Sequence, residues 1–176
     1  MTNISKTTKM RSFATAILMF AVCAGFTGCS GYSSESLYPR NISSVYVEMF
    51  DNRSFWRGVE YKLTDALAKR IESQTPYKVV SSCDRADSIM NGQIVSIDQS
   101  KLSTERQTGR PLEKEVLLEA VVSWKNLKTG ELLMNNQTVD ASVSYSEWQS
   151  QSFEYASALA ANKLAQQIVE QMELGW

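Results

Sequence analysis

Histidine is missing from all 176 residues, which removes the commonest general base and the commonest metal ligand together. Neither G-x-G-x-x-G nor G-x-x-x-x-G-K-[ST] occurs, so no glycine-rich loop is available to cradle phosphates. Cysteine is scarce at three, and with no histidine beside it a thiol has no base to activate it. A long hydrophobic run is lacking too: residues 13–24 (FATAILMFAVCA) fall well short of the roughly 20 that a spanning helix needs. Nor is there an excess of basic charge, with 18 Lys and Arg against 19 Asp and Glu. A general nucleic-acid binder, which carries a basic patch or stripe, is therefore not expected. These absences point to a non-enzyme with no catalytic residues and no metal site.

What is present begins with a leader. Lys6, Lys9 and Arg11 form a basic start ahead of the apolar segment, the pattern of an export signal rather than a membrane span. Phe26-Thr27-Gly28-Cys29 then resembles a bacterial lipobox, with Phe26 where Leu is usual. On that reading residues 1–28 are removed and Cys29 receives a diacylglycerol and an N-acyl chain. Burial of about 0.8 kcal/mol per CH2 then holds the protein on a membrane with no helix of its own. The other reading is a plain secretory signal with an incidental cysteine. Ser30 follows Cys29 where Asp would retain a lipoprotein, which permits transfer to an outer membrane. The leader has no acidic residue, so the rest of the chain holds 15 basic and 19 acidic residues and a formal charge of −4. Cys23 leaves with the leader, and Cys83 is left alone as a small apolar side chain with no disulfide partner.

Residues 29–41 are small and polar and include Pro39, as expected of a tether to a single domain at 42–176. From Ile42, Val45, Val47 and Met49 alternate with Tyr46, Glu48 and Phe50, which predicts a strand. Asp51-Asn52-Arg53-Ser54 is turn chemistry that can cap a helix. Val59, Leu63, Ala66, Leu67, Arg70 and Ile71 recur at three and four residues, the stripe of an amphipathic helix that Pro76 ends. Residues 77–80 read as a short strand, 81–87 as a turn, and 88–98 as a strand in which Gly92 marks a bulge or a close backbone approach. In that turn Asp84 and Asp87 flank Arg85, and the trio reads as solvated chemistry capping a strand. Residues 101–111 are polar and basic with Gly109 and Pro111 as breakers, an exposed connection. Val116, Leu118, Ala120, Val122 and Trp124 form the cleanest alternation in the chain and mark a core face. After the turn 126–130, residues 132–145 return as its antiparallel partner, with Leu133, Val139, Ala141, Val143 and Tyr145 on one side and a polar middle at Asn135-Asn136-Gln137. Phe153, Ala156, Ala160, Leu164, Ile168 and Met172 then trace a second amphipathic helix ending near Gly175-Trp176. Trp124 belongs to the core, whereas Trp148 and Trp176 lie at helix ends.

The predicted class is α+β: a two-layer sandwich with two helices on one face of a mostly antiparallel or mixed sheet of four to five strands. The other face meets water or a partner. Positive charge gathers at Lys101, Arg106, Arg110 and Lys114. The planar guanidinium fork suits a phosphate or carboxylate, although a solvated loop explains the same residues.

Over residues 29–176 the order of motifs resembles the LptE family of lipopolysaccharide-assembly lipoproteins. The stretch SGYSSESLYPRNISSVYVEMFDNRSFWRGVEYKLTDALAKRIE carries Gly-Tyr close behind Cys29, a strand ending in Phe-x-Asn-Arg, and a helix with Leu-Thr-x-Ala-Leu. ADSIMNGQIVSI is similar to the family's Ala-Asp-x-x-x-x-Gly-x-Ile strand, and Lys-Thr-Gly-Glu at 128–131 and the final helix ending in Trp also fit. The resemblance implies two helices over a four-stranded sheet. It implies an outer-membrane lipoprotein facing the periplasm that plugs an LptD-type β-barrel, helps assemble it and contacts lipopolysaccharide during insertion into the outer leaflet. It further implies Arg106, Arg110 and Lys128 as lipopolysaccharide contacts, and no cofactor beyond the lipid on Cys29. The phrase VYVEMFDNRS also looks like the first strand of curli-secretion-like and penicillin-binding-protein-activator-like lipoproteins, which usually add further strands or membrane-inserting segments. A small periplasmic hydrolase is disfavoured by the missing histidine.

Overall fold

Alternation that continues without a break from Val116 to Trp124 places that segment in the middle of the sheet, where all five inward side chains are buried. The computed structural model describes residues 38–173. The expected leader 1–28, Cys29, most of the tether 29–41 and Trp176 lie outside the described residues. Among the described residues, six strands and two long helices follow in the order β1 (Ser44–Val47), β2 (Asp51–Asn52), α1 (Val59–Gln74), β3 (Lys78–Val79), β4 (Ser88–Thr104), β5 (Pro111–Asn126), β6 (Leu132–Tyr145) and α2 (Phe153–Glu170). The sheet runs β3-β1-β4-β5-β6, with β2 beside β4 further along. Contacts of β1 with β3 and β4, and of β2 with β4, are parallel, whereas β4-β5-β6 is an antiparallel meander. The class is the α+β sandwich expected from the pattern, with one strand more than four to five.

The extra strand is Asp51–Asn52, which the sequence presents as a turn. Two residues carry no periodicity, yet their pairing with Gln93 and Ile94 extends the parallel edge. The interruption between β1 and β2 also reverses the alternation: Val45 is buried before it, and after it Phe50 turns inward while Met49 is half exposed. The phase of β4 changes as well. Ile94 faces Ala120 and Ser96 faces Glu119, so Val95 is an extra residue, and the core positions pass from Met90 and Ile94 to Ile97.

Residues 101–111, expected as an open connection, are partly sheet. Strand β4 runs on to Thr104 and β5 starts at Pro111, leaving only 105–110 as loop. Proline is tolerated there because the first residue of a strand can forgo a ladder donor. In β6 the polar middle is a bulge: Trp124 pairs with Met134 and Val122 with Gln137, and Asn136 takes φ 47°. The bulge turns Met134 into the core, while Leu133 is only partly buried.

Both helices cover one face. Helix α1 buries Val59, Leu63, Ala66, Leu67 and Ile71, as its stripe predicts. Helix α2 buries Ala156, Ala160, Leu164 and Ile168 together with Ala161 and Ala165. Small residues let it lie close to β5 and β6, and each fully buried Leu or Ile contributes about 1.5–3 kcal/mol. Ser152 Oγ accepts from Tyr155 N at 3.2 Å and caps its start. The helices run parallel: Trp56 stacks on Phe153 at their starts with ring centroids 4.0 Å apart, and Tyr38 reaches both Gln74 and Glu173 at their ends. Trp124 is buried, as expected, and its Nε1 donates to buried Ser88 Oγ at 3.0 Å.

Candidate functional site

Two loop-bearing ends result, because β4 and β5 run nearly the full length of the sheet. Seventeen residues in β4, at roughly 3.3 Å each, separate them by about 50 Å. One end holds the β4–β5 loop and the starts of both helices. The other holds the β5–β6 turn, the helix ends and the point where the chain reaches the domain.

At the first end the loop closes on itself. Glu105 N donates to Arg110 O at 2.8 Å and Gly109 N to Glu105 O at 2.9 Å. Gly109 sits at φ 67°, a conformation that glycine adopts without strain. Thr108 Oγ1 hydrogen-bonds the Glu105 carboxylate, and Arg110 N donates back to Thr108 Oγ1. With the backbone satisfied internally, the Arg106 and Arg110 side chains stand in solvent, and among the described residues neither forms an ion pair. Lys114 differs: it meets Glu147 at 2.5 Å, and hydrogen bonding to that carboxylate raises its pKa. Lys101, opposite Lys114 on β4, is exposed. Among the described residues, the positive charge without an ion pair at this end therefore includes Lys101, Arg106 and Arg110, together with Arg53 and Arg57 on the β2–α1 loop.

Aromatic side chains gather at the same end, a feature that sequence reasoning left open. Phe55 is fully exposed and Trp56, Trp148 and Tyr155 are largely so. The β2–α1 loop is organised by Asn52, whose Nδ2 donates to Trp56 O and to Glu60 Oε2, each at 2.7 Å, while its Oδ1 accepts from Ser54 N. Glu60 Oε2 also accepts from Gly58 N at 2.9 Å. Partial desolvation opposes ionisation of Glu60, yet hydrogen bonds from its own N–H, Asn52 and Gly58, with the Arg57 charge, hold the carboxyl below its usual range. The helix thus starts at Gly58 rather than at Ser54, with the glutamate reaching back in place of a side-chain cap.

Lys128 is at the opposite end. Its Nζ lies 2.6 Å from Asp87 Oδ1, whose other oxygen accepts from Ser43 N at 2.8 Å and Ser44 N at 3.2 Å. The structure thus brings Arg106 and Arg110 together on one loop and separates Lys128 from them. Asp87 caps β1, as its sequence setting suggests, and the bond from Lys128 foremost, then that from Ser43, lowers its pKa below the ordinary 3.8. A depressed carboxyl contributes stability above its unfolded-state pKa and loses it as pH falls through the folded value. Asp87→Asn is accordingly expected to lower the melting temperature at pH 7, with the difference from the parent shrinking as pH drops below about 4. Parallel melts at pH 7 and pH 3 check this; an unchanged gap would remove the carboxylate from the account.

No three or more His, Cys, Asp or Glu among the described residues are grouped to hold a metal ion, and no helix there is long and apolar enough to cross a membrane. Cys83 lies half-buried in the 3-10 turn Cys83–Arg85. The family model described as "LptE: Lipopolysaccharide-assembly" matches residues 42–172. The chain belongs to the LptE family. Among solved structures, an uncharacterized lipoprotein B from Nitrosomonas europaea is similar at 18% identity, covering 81% of this chain and 90% of its own, with a TM-score of 0.54. The rare lipoprotein B from Shewanella oneidensis is similar at 15% identity, covering 74% of this chain and 93% of its own, with a TM-score of 0.50. At such identities the likeness is one of fold. A search of curated proteins finds no match.

Proposed function

We propose that this LptE-family chain is an outer-membrane lipoprotein, lipidated on Cys29 and facing the periplasm. It seats in and helps assemble an LptD-type β-barrel and contacts lipopolysaccharide during insertion. It works by binding, with no catalytic chemistry and no cofactor beyond the lipid. The observation that carries the reading is the family match across the whole domain. The self-closed loop that leaves two arginines without carboxylate partners supplies the chemistry, since a guanidinium fork forms charge-assisted bonds with glycolipid phosphates. Lys128, held by Asp87 at the far end, serves the fold in this reading.

Purification through a C-terminal tag from membranes in mild detergent is expected to yield one large outer-membrane β-barrel protein in stable stoichiometry, identified by mass spectrometry. A homo-oligomer or a peptidoglycan synthase in its place would overturn the reading. Cys29→Ala is expected to give a protein that lacks the lipid mass and stays in the aqueous phase of a detergent partition. Persistent partitioning into detergent would remove the lipobox assignment. Arg106→Glu combined with Arg110→Glu should weaken binding to purified lipopolysaccharide by tenfold or more, about 1.4 kcal/mol or above, at an unchanged melting temperature. Equal binding would return the loop to ordinary solvated surface.

A further inference from the structure

Strand β6 ends the sheet, and among the described residues no strand pairs with its outer edge. An unpaired edge of 14 residues is a template for another extended chain, and proteins usually blunt such edges. Here the blunting is partial. Lys163 Nζ covers the edge at Ser142 O, 3.1 Å away, and the bulge at Asn136 bends it, but Asn135 to Thr138 stay exposed. Between this stretch and the last turns of α2 runs an open groove of about 1040 Å³. That is more room than a strand of several residues requires.

The walls of the groove state what it lacks. Gln167 Oε1 is shielded from solvent and accepts no hydrogen bond. A buried acceptor left without a donor is costly, so the site favours a ligand that brings a donor. Asp140, Glu170 and Glu173 line the same groove, and among the described residues no lysine or arginine lines it. Glu170 receives only a neutral amide bond from Gln166, and Glu173 receives the Tyr38 hydroxyl. Bare main chain, an unpaired acceptor and uncompensated negative charge thus meet on one surface.

We infer that the β6 edge and the α2 groove form a docking site for an extended, basic polypeptide segment. The segment adds as a strand to β6, and its lysine or arginine side chains reach Asp140, Glu170 and Glu173. Such strand addition draws affinity from main-chain bonds and specificity from side chains that project alternately. A second copy of this chain is the poorer occupant, because pairing β6 with itself would bring two sets of these carboxylates together. The inference goes beyond the proposed function and does not depend on the arginine loop, which lies at the far end of the sheet.

The test uses the full-length lipoprotein in detergent and a fluorescein-labelled peptide alternating Lys or Arg with Val over eight residues, with a Glu-for-Lys/Arg peptide as control. The expected result is saturable binding of the basic peptide by anisotropy, at least tenfold weaker binding of the acidic one, and amide shifts confined to residues 133–141 and the end of α2. Asp140→Lys with Glu170→Lys, both at exposed positions, should weaken the basic peptide at least tenfold with the melting temperature unchanged. Gln167→Leu, which removes the unpaired acceptor, should also weaken it while leaving the fold intact. Equal affinity for both peptides, shifts that map elsewhere, or undiminished binding by the charge-reversal variant would overturn the inference. Concentration-dependent self-association that the peptide blocks would assign the groove to a second copy and overturn it equally.

Discussion

Val122→Asp is expected to remove most of the domain's stability at neutral pH. Val122 is fully buried at the centre of β5, between Gly92 of β4 and Gln137 of β6, under the helix layer. An ionised carboxyl there has no partner and loses its hydration, a cost of about 4 kcal/mol or more. Domains of this size rest on a total of about 5–15 kcal/mol, so one such change removes most of the margin. The sign with pH is also fixed. Burial raises the introduced carboxyl's pKa in the folded state above its unfolded value near 4, so the penalty grows as pH rises past about 4 and eases below it. Urea unfolding followed by circular dichroism at pH 7 and pH 4 reads both effects; an unchanged midpoint at pH 7 would refute the core assignment.

Gly92→Ala is expected to have the next largest effect, although it adds a single methyl group. A Cβ at position 92 would lie 2.4 Å from Phe50 Cε1 and 2.7 Å from Val121 O. The first neighbour is a buried ring at the start of the parallel edge and the second is backbone of β5, paired on both sides, so neither yields cheaply. A loss of about 3 kcal/mol follows from overpacking of this kind. Phe50→Leu removes part of the obstruction, so the double variant should lose at least about 1 kcal/mol less than the sum of the two single changes. Strict additivity in chemical denaturation would show that the ring and the glycine are not in conflict.

The sequence made some of this legible and hid the rest for physical reasons. The stripes of α1 and α2 and the alternation of β5 show plainly because each runs unbroken over several turns or pleats. Met134 was hidden because the bulge at Asn136 shifts the phase of β6 by one residue, so a strict period of two selects Leu133 instead. The full length of β4 was hidden because its outer third, from Gln99 to Thr104, is mostly exposed and polar and looks like loop to a hydropathy pattern. Asp51–Asn52 is a strand only through its neighbour, which no local signal reports. Gly92 was legible as a place of close approach, and Phe50 is what approaches it. Arg106 and Arg110 were legible as a basic loop, while the distance to Lys128 depends on register. The alternation of β5 marked Trp124 as core, but the exposed aromatic end was illegible because no local signal at Phe55, Trp56, Trp148 or Tyr155 reports what packing leaves uncovered.

Tyr38 docks against Gln74 and Glu173, and Pro39 O accepts from Tyr77 OH, at the end of the domain farthest from Arg106 and Arg110. The span between them, about 50 Å of strand, exceeds the roughly 30 Å hydrocarbon thickness of a bilayer. In the proposed role this length would serve as a ruler. Tethered through Cys29 at one face of a membrane and sheathed from lipid by a barrel, a domain this long would carry two guanidinium groups past the opposite face without any moving part.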